Sequence, residues 1–342
     1  MRSKIGWRTV WFHALSRLIP RREDCCRAFA SRDTLTYDPA LSKFPTDFGG
    51  KNPRSGSKVN RTLMSYRQLR AQPPAEADFD EFLDHLFKAL TNGQRDPNDV
   101  VRDTLYEIYY GAAMIGTGKE TTPNMDALST AARVVLHNFD PRNVTTEPEY
   151  YPDIDAKAYA ERKPFVWLWQ MYDRSPLGQN ALLGHRFRRM LAPLVFKKVG
   201  ANFKCWHFVE WSYGYKLSFG DNVVVHRHVL LDDRGGIEIG NNVSISDYAN
   251  IYSHTHDIVD INDVENRVTR IGDGVRITYH ATVLAGVQVG AQSMVGTHAV
   301  ATKNVEPYHV KVGIPAKTIR IKPNAASDVS DTDTEVKTAS ER

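Results

Sequence analysis

An aliphatic residue recurs every six positions through two stretches of this chain, and that spacing restricts the possible folds more than any other feature. Ile239, Ile245 and Ile251 open units in the first stretch, and Ile271, Ile277, Val283, Val289 and Val295 in the second. Four positions into these units stands a small or aliphatic residue: Val243, Ala249, Val275, Ala281, Val287, Ser293 or Ala299. A helix needs a period near 3.6, and a sandwich of irregular short strands does not produce eight units in two unbroken frames. A short strand with one inward aliphatic residue, followed by a turn, fits six residues. Three such units make a triangular coil, and stacked coils bury a column of Ile and Val, with Gly and Asn at tight or left-handed corners. The period therefore predicts a parallel β-helix in the C-terminal part of the chain.

The 200 residues before it have a helical texture. Residues 5 to 20 place Trp7, Trp11, Leu15 and Leu18 on one face, an amphipathic helix read as docking on protein, with peripheral membrane contact as the alternative. Residues 31 to 60 carry Pro39, Pro45, Gly49, Gly50, Pro53 and Gly56 and read as loop. Asp78 is expected to cap a helix with the stripe Phe79, Phe82, Leu83, Leu86, Phe87 and Leu90, stopped at Asn92-Gly93. Asp96-Pro97 opens a second helix and Pro123 a third. An aromatic run from Phe165 to Tyr172 leads to a basic helix near Arg186 to Lys198, with a break at Tyr150-Tyr151-Pro152. The resulting division is a mostly helical region over 1–200, a β-helix over 201–323 and a polar, disordered tail over 324–342.

Composition removes several function classes. The chain of 342 residues is 42% hydrophobic and 25% charged, a globular balance, and it holds no run of roughly 18 apolar residues such as a membrane span needs. A net charge of +4, spread along the chain, does not point to nucleic acid. Cys25, Cys26 and Cys205 form neither a disulfide framework nor a metal-binding spacing, so the expected setting is reducing and cytoplasmic.

The frame is interrupted between His254 and Arg270. A solenoid accommodates an insertion as a loop leaving one face, and such loops commonly build sites. His254 and His256 stand at the root of this one, and histidine is suited to taking a proton from a hydroxyl near neutral pH. The segments Ser212-Tyr-Gly, Leu231-Asp-Asp, Ile239-Gly-Asn-Asn-Val, Ser253-His-Thr-His-Asp, Ala285-Gly-Val, Ala301-Thr-Lys and Gly313-Ile-Pro-Ala-Lys stand in an order that resembles the hexapeptide-repeat acyltransferases, specifically the galactoside and maltose O-acetyltransferase branch. The resemblance covers about residues 195 to 323. It implies a left-handed parallel β-helix, acetyl-CoA as acyl donor, direct transfer to a sugar or other small hydroxyl acceptor, and a homotrimer with sites between neighbouring coils.

By the same resemblance, His254 is the general base, with His256 as the alternate. Asp233 matches the second acidic residue of an acceptor-binding Asp-Asp pair, and His226 stands where galactoside acetyltransferases carry an acceptor-binding Asn. Ala285, Gly286, Thr297, Thr302, Lys303 and Arg320 match the CoA groove, where cations would meet phosphates; Tyr279 replaces a small residue there. Two other functions remain open. One is a non-catalytic scaffold. The other is a carbonic-anhydrase-like metal hydrolase using histidines among His226, His228, His254, His256 and His280, although the paired ligand spacing of that family is missing and no metal is expected.

Overall fold

The computed structural model describes residues 68–111 and 125–325. The helix expected over 5 to 20, the loop over 31 to 60, Cys25, Cys26, Pro123 and the tail past 325 lie outside them.

Six α-helices lead into the coil: α1 (Pro73–Thr91), α2 (Pro97–Tyr110), α3 (Thr130–His137), α4 (Ala156–Ala160), α5 (Lys163–Arg174) and α6 (Ala181–Val195). The first starts five residues before the expected cap, because Pro73 and Pro74 occupy its first turn, where a missing N–H costs nothing; Asp78 is interior. Asp96 does cap α2, accepting from the Asn98 amide, and Ser129 caps α3. The basic helix is α6, shifted upstream of its expected start by the Asn180 cap and ending before Lys198, which already lies in the first strand.

From Lys198 the chain winds into three parallel sheets. The first holds β1 (Lys198–Val199), β4 (Leu217–Phe219), β7 (Ile237–Ile239), β12 (Thr269–Ile271) and β15 (Gln288–Val289). The second runs β2 (Lys204–Cys205), β5 (Val224–Val225), β8 (Ser244–Ile245), β13 (Arg276–Ile277) and β16 (Met294–Val295), then β18 (His309–Val312) and the antiparallel β19 (Lys317–Ile321). The third holds β3 (Glu210–Trp211), β6 (Leu230–Asp232), β9 (Asn250–Tyr252), β14 (Thr282–Val283) and β17 (Val300–Ala301). This is the expected solenoid.

The register explains why its early coils are not legible as hexapeptides. Arg270 pairs with Gln288, a coil of eighteen residues, whereas Lys198 pairs with Ser218 and Ser218 with Glu238, coils of twenty. The two surplus residues fall at the corner leaving the third sheet, so Trp211 to Phe219 and Leu231 to Ile239 span eight positions instead of six. Past Ala301 the same corner is two residues short, since Val289 pairs with Val305, so the frame breaks at four places and not one, all on the same corner. The largest break is a hairpin of β10 (His254–His256) with β11 (Val264–Asn266).

The other two corners carry columns in the left-handed region. Asn202, Asn222 and Asn242 follow the first sheet, their side-chain amides donating coil to coil at 3.0 and 3.1 Å. After the second sheet the left-handed residues are not the expected Gly or Asn but Phe208, His228, Tyr248, His280 and His298. Their rings stack in one ladder with centroids 4.7–5.3 Å apart, which offsets the backbone cost.

The helices and the coil share one buried cluster. At its centre, Trp169 of α5 and Phe196 pack edge-on against Trp211 of the first coil, 5.1 and 5.0 Å between centroids. Beside it lies a buried ion pair: Arg188 of α6 donates to Asp173 Oδ1 at 2.6 and 2.8 Å and to the Gly178 carbonyl at 2.7 Å, while Asp173 Oδ2 accepts the Phe208 amide at 2.9 Å. Removing one partner strands the other charge away from water. Arg188→Ala is expected to destabilise the protein by about 3–5 kcal/mol, read from the midpoint of denaturant unfolding; a loss under 1 kcal/mol would deny the pair its role in joining helices to coil.

Candidate active site

The corner leaving the third sheet stacks Ser212, Asp232 and Ser253-His254 on successive coils. Ser253 is fully buried and pins the chain just before the histidine: its hydroxyl donates to the Asp232 carbonyl at 2.5 Å and accepts the Gly235 amide at 2.8 Å. The Arg267 amide donates to the Ser253 carbonyl at 2.7 Å and closes the hairpin root. His254 therefore leaves a rigid corner although it opens an insertion.

Its Nδ1 lies 2.5 Å from Asp232 Oδ2, an ion-pair contact off the axis of an ideal N–H···O bond. Asp232 is buried and its other oxygen accepts the Ser212 hydroxyl at 3.1 Å. Burial lowers the His254 pKa; Asp232 opposes that shift, and Arg234 and His256 add to it. The imidazole is thus neutral near pH 7, with Nδ1 toward a carboxylate, and His254 lines a cavity of about 430 Å³. A neutral ring backed by a carboxylate can accept a proton and hold it as imidazolium.

A second network fixes this corner to the chain between the helices. Asp153 accepts from the Tyr213 hydroxyl at 2.7 Å, from Arg234 Nη2 at 2.9 Å and from Asn266 of β11 at 3.0 Å. Burial raises its pKa, but these three donors outweigh burial and bring it down to about 2. Arg234 also lies over the Tyr151 ring, 4.4 Å from its centroid.

The residues expected in the site separate on the structure. His254 lines the cavity. His256 is exposed, with Nδ1 2.6 Å from the Ile261 carbonyl inside the hairpin. Asp233 does not line the cavity; it is fully buried, accepting the Tyr213 amide at 2.6 Å and the Lys216 amide at 3.3 Å, and burial pushes its pKa up to about 7. Its neighbour Asp232 faces the histidine instead, because successive residues of the strand end point to opposite sides. His226 lies on a different corner, after the second sheet, stacked on Trp206 with Nδ1 3.9 Å from Asp247. Thr297 shares that corner, 3.4 Å from the Thr278 hydroxyl. Ala285, Gly286, Thr302 and Lys303 continue the His254 corner onto the next coils. Gly286 has φ +77°, its amide donates to Thr269 Oγ1 at 2.9 Å, and a Cβ there would sit 3.0 Å from the Arg267 side chain. Arg320 lies on exposed β19.

His228 and His280 belong to the ring ladder. Among the described residues no group of three His, Cys, Asp or Glu side chains could hold a metal ion, and no helix is long and apolar enough to cross a membrane. Sequence reasoning missed Asp232 as the partner of His254, and with it Asp153 and Arg234. The available signal was the two-residue excess after Leu231, which places an Asp-Asp-Arg-Gly-Gly segment outside the hexapeptide frame.

Comparison with known proteins finds acetyltransferases similar to parts of this chain. Over 137 residues the chain is 28% identical to the galactoside O-acetyltransferase of Escherichia coli K12, covering 39% of this chain and 68% of that enzyme. Over 110 residues it is 32% identical to a probable acetyltransferase of Mycobacterium tuberculosis, covering 30% of this chain and 37% of the relative. Over these stretches the coil is similar to acetyltransferases. The chain spans between about a third and two thirds of the length of these two curated relatives. No family profile matches it. A hexapeptide-repeat acetyltransferase of Vibrio cholerae, solved with acetyl coenzyme A, superposes with a TM-score of 0.44 and 21% identity, over 53% of this chain and 97% of that one.

For a hexapeptide-repeat coil, the buried carboxylate of Asp233 is a corner brace. Asp233→Ala leaves the buried Tyr213 amide and the half-buried Lys216 amide without their acceptor and is expected to cost about 1–3 kcal/mol, read by thermal denaturation. If Asp233 instead touches an acceptor, the variant will keep its melting temperature and lose turnover.

Proposed function

We propose that this protein is a CoA-dependent O-acetyltransferase in which His254 is the general base and acetyl passes directly from acetyl-CoA to a small hydroxyl acceptor. The observation that carries this reading is the His254 imidazole on the wall of a cavity of about 430 Å³, with the buried Asp232 carboxylate 2.5 Å from its Nδ1. In the proposed reaction His254 takes the proton of the acceptor hydroxyl as its oxygen attacks the thioester carbonyl. The C–S bond breaks, and the proton held on the imidazole passes to the departing sulfur, so no acyl-enzyme forms. Asp232 stabilises the transient imidazolium.

Residues on the same corner support a place for the acyl donor. Ala285 and Gly286 leave the edge narrow, and Lys303 is an exposed cation beside Thr302. Thr297 and His226 sit on the neighbouring corner, so a site that uses both sets needs more than one copy of the coil, and a homotrimer with sites between coils is proposed with it. A cytoplasmic setting suits the unpaired, buried Cys205.

His254→Ala should lower turnover about a hundredfold or more with acetyl-CoA affinity unchanged; an active variant would remove the base. Because the folded pKa of His254 is below 6.5, activity should be lost only as pH falls beneath that value. In Asp232→Asn the carboxylate that raises this pKa is gone, so the acid limb should move to lower pH while kcat falls by about an order of magnitude or more. An acid limb that stays put would separate Asp232 from the base. Calorimetric titration with acetyl-CoA tests the donor itself: saturable binding, weakened about tenfold in Arg320→Ala, is expected, and a folded protein that binds no acetyl-CoA defeats the proposal.

A further inference from the structure

The cavity over His254 has two walls with different origins. The inner wall is the coil corner. The outer wall comes from the helical region, which the family motifs do not reach: the 3-10 turn Glu147–Tyr150 and the outward side of α5 with Trp167 and Arg174.

That outer wall is built as firmly as the corner. Glu149 accepts the Thr146 amide at 2.7 Å, the Thr146 hydroxyl at 2.9 Å and Lys163 at 2.8 Å, so the turn is held from both sides. The Tyr151 hydroxyl donates to Glu147 at 2.6 Å and fixes the direction of that carboxylate. Trp167 donates its indole N–H to the Asn138 carbonyl at 3.1 Å, which orients the ring. Among the described residues, Arg174 hydrogen-bonds only the Gln170 carbonyl of its own helix, at 2.8 Å.

Four carboxylates and two guanidiniums line the cavity. Asp173 is engaged by Arg188, Asp232 by His254, and Arg234 by Asp153. What remains for a ligand is Glu147, Glu210 and Arg174, a net negative set beside an aromatic face. A carboxylate accepts and cannot donate, so it suits a molecule rich in hydroxyls, whereas a phosphate would meet like charge in a partly desolvated space. The cavity volume suits a small ligand.

We propose that the helical region is the acceptor-selecting wall of this site, in which Glu147, Trp167 and Arg174 take a neutral polyhydroxylated ring and Glu147 shuts out anionic acceptors. This rests on the acyl-transfer reading. Trp167 offers its face to the C–H side of the ring, Glu147 and Arg174 read hydroxyls at its edge, and the hydroxyl nearest His254 is acylated.

The test uses the full chain, acetyl-CoA, and two probes: methyl β-D-galactoside and galactose 6-phosphate, with CoA release as the readout. Wild type should transfer to the neutral probe at least tenfold better in kcat/KM. Glu147→Lys should reverse or erase that preference, Glu147→Gln should reduce it, and Trp167→Ala should raise KM for the neutral probe severalfold with kcat nearly kept. Circular dichroism and acetyl-CoA titration on each variant show that fold and donor binding persist. A preference unmoved by Glu147→Lys overturns the inference, as does wild type that binds acetyl-CoA yet prefers the phosphate or uses neither probe. Absent acetyl-CoA binding in wild type would instead strike at the acyl-transfer reading beneath it.

Discussion

Coil-to-coil hydrogen bonding sets the position of everything that matters here. Because each strand residue lies directly over its counterpart one coil away, a corner becomes a column, and whatever the chain places at one corner is repeated along an edge. Two edges are filled by self-complementary stacks, Asn on Asn and ring on ring, which need the residues above and below and leave nothing over for a reactive partner. The third edge is irregular. There the early coils carry two extra residues and the third coil carries a hairpin, and only there do a buried carboxylate and a histidine come within 2.5 Å. Departure from the repeat makes the site possible, since a regular corner has no slack for a side chain to turn toward its neighbour.

How much of this was legible depends on how local each signal is. The coils from Ile237 onward announce themselves through Ile and Val at fixed spacing, because inward packing allows little else at those positions. His254 was visible for the complementary reason, that it stands where the spacing stops. The first two coils were placed in the β-helix by the resemblance and not by the repeat, which is obscured there by their twenty-residue length and by Trp211 and Phe219, large residues that answer to the helices above them as much as to the coil. Aromatic side chains at left-handed corners were not foreseeable from backbone preference, which favours Gly or Asn there; what decides them is a ring on the next coil, a contact eighteen, twenty or thirty-two positions away. Choosing Asp233 over Asp232 is the sharpest case. The two are adjacent and chemically identical, and only the alternation of side-chain direction at the strand end determines which one braces the corner and which one faces the imidazole.

The helices are not an appendage to the coil. Trp169 and Phe196 insert into the mouth of the solenoid, closing a core end that would otherwise expose Trp211 and Phe219 to water. Arg188 and Asp173 reach across the same junction to the Phe208 amide, the first rung of the ring ladder. A solenoid needs capping at its ends, where the last coil has no neighbour to bury it. Once a helical layer is committed to that purpose, its outward turn necessarily overhangs the nearest corner, and the nearest corner is the one with Ser212, Asp232 and His254.

This overhang bears on how His254 stays usable. Coil packing alone would leave the imidazole partly open to water, where the Asp232 carboxylate would raise its pKa and favour the charged form, a poor base. The cover supplied by the helical region, together with the Arg234 charge that Asp153 anchors, pushes the other way, and the balance falls below the ordinary histidine value. Burial on its own would lower the pKa but leave the ring unoriented and, in the proposed transfer, the imidazolium unsupported. The carboxylate supplies orientation and support, and the cover keeps the resting state neutral. Each half counters the liability of the other, so in the proposed reaction the His254 corner and the helical wall are needed together.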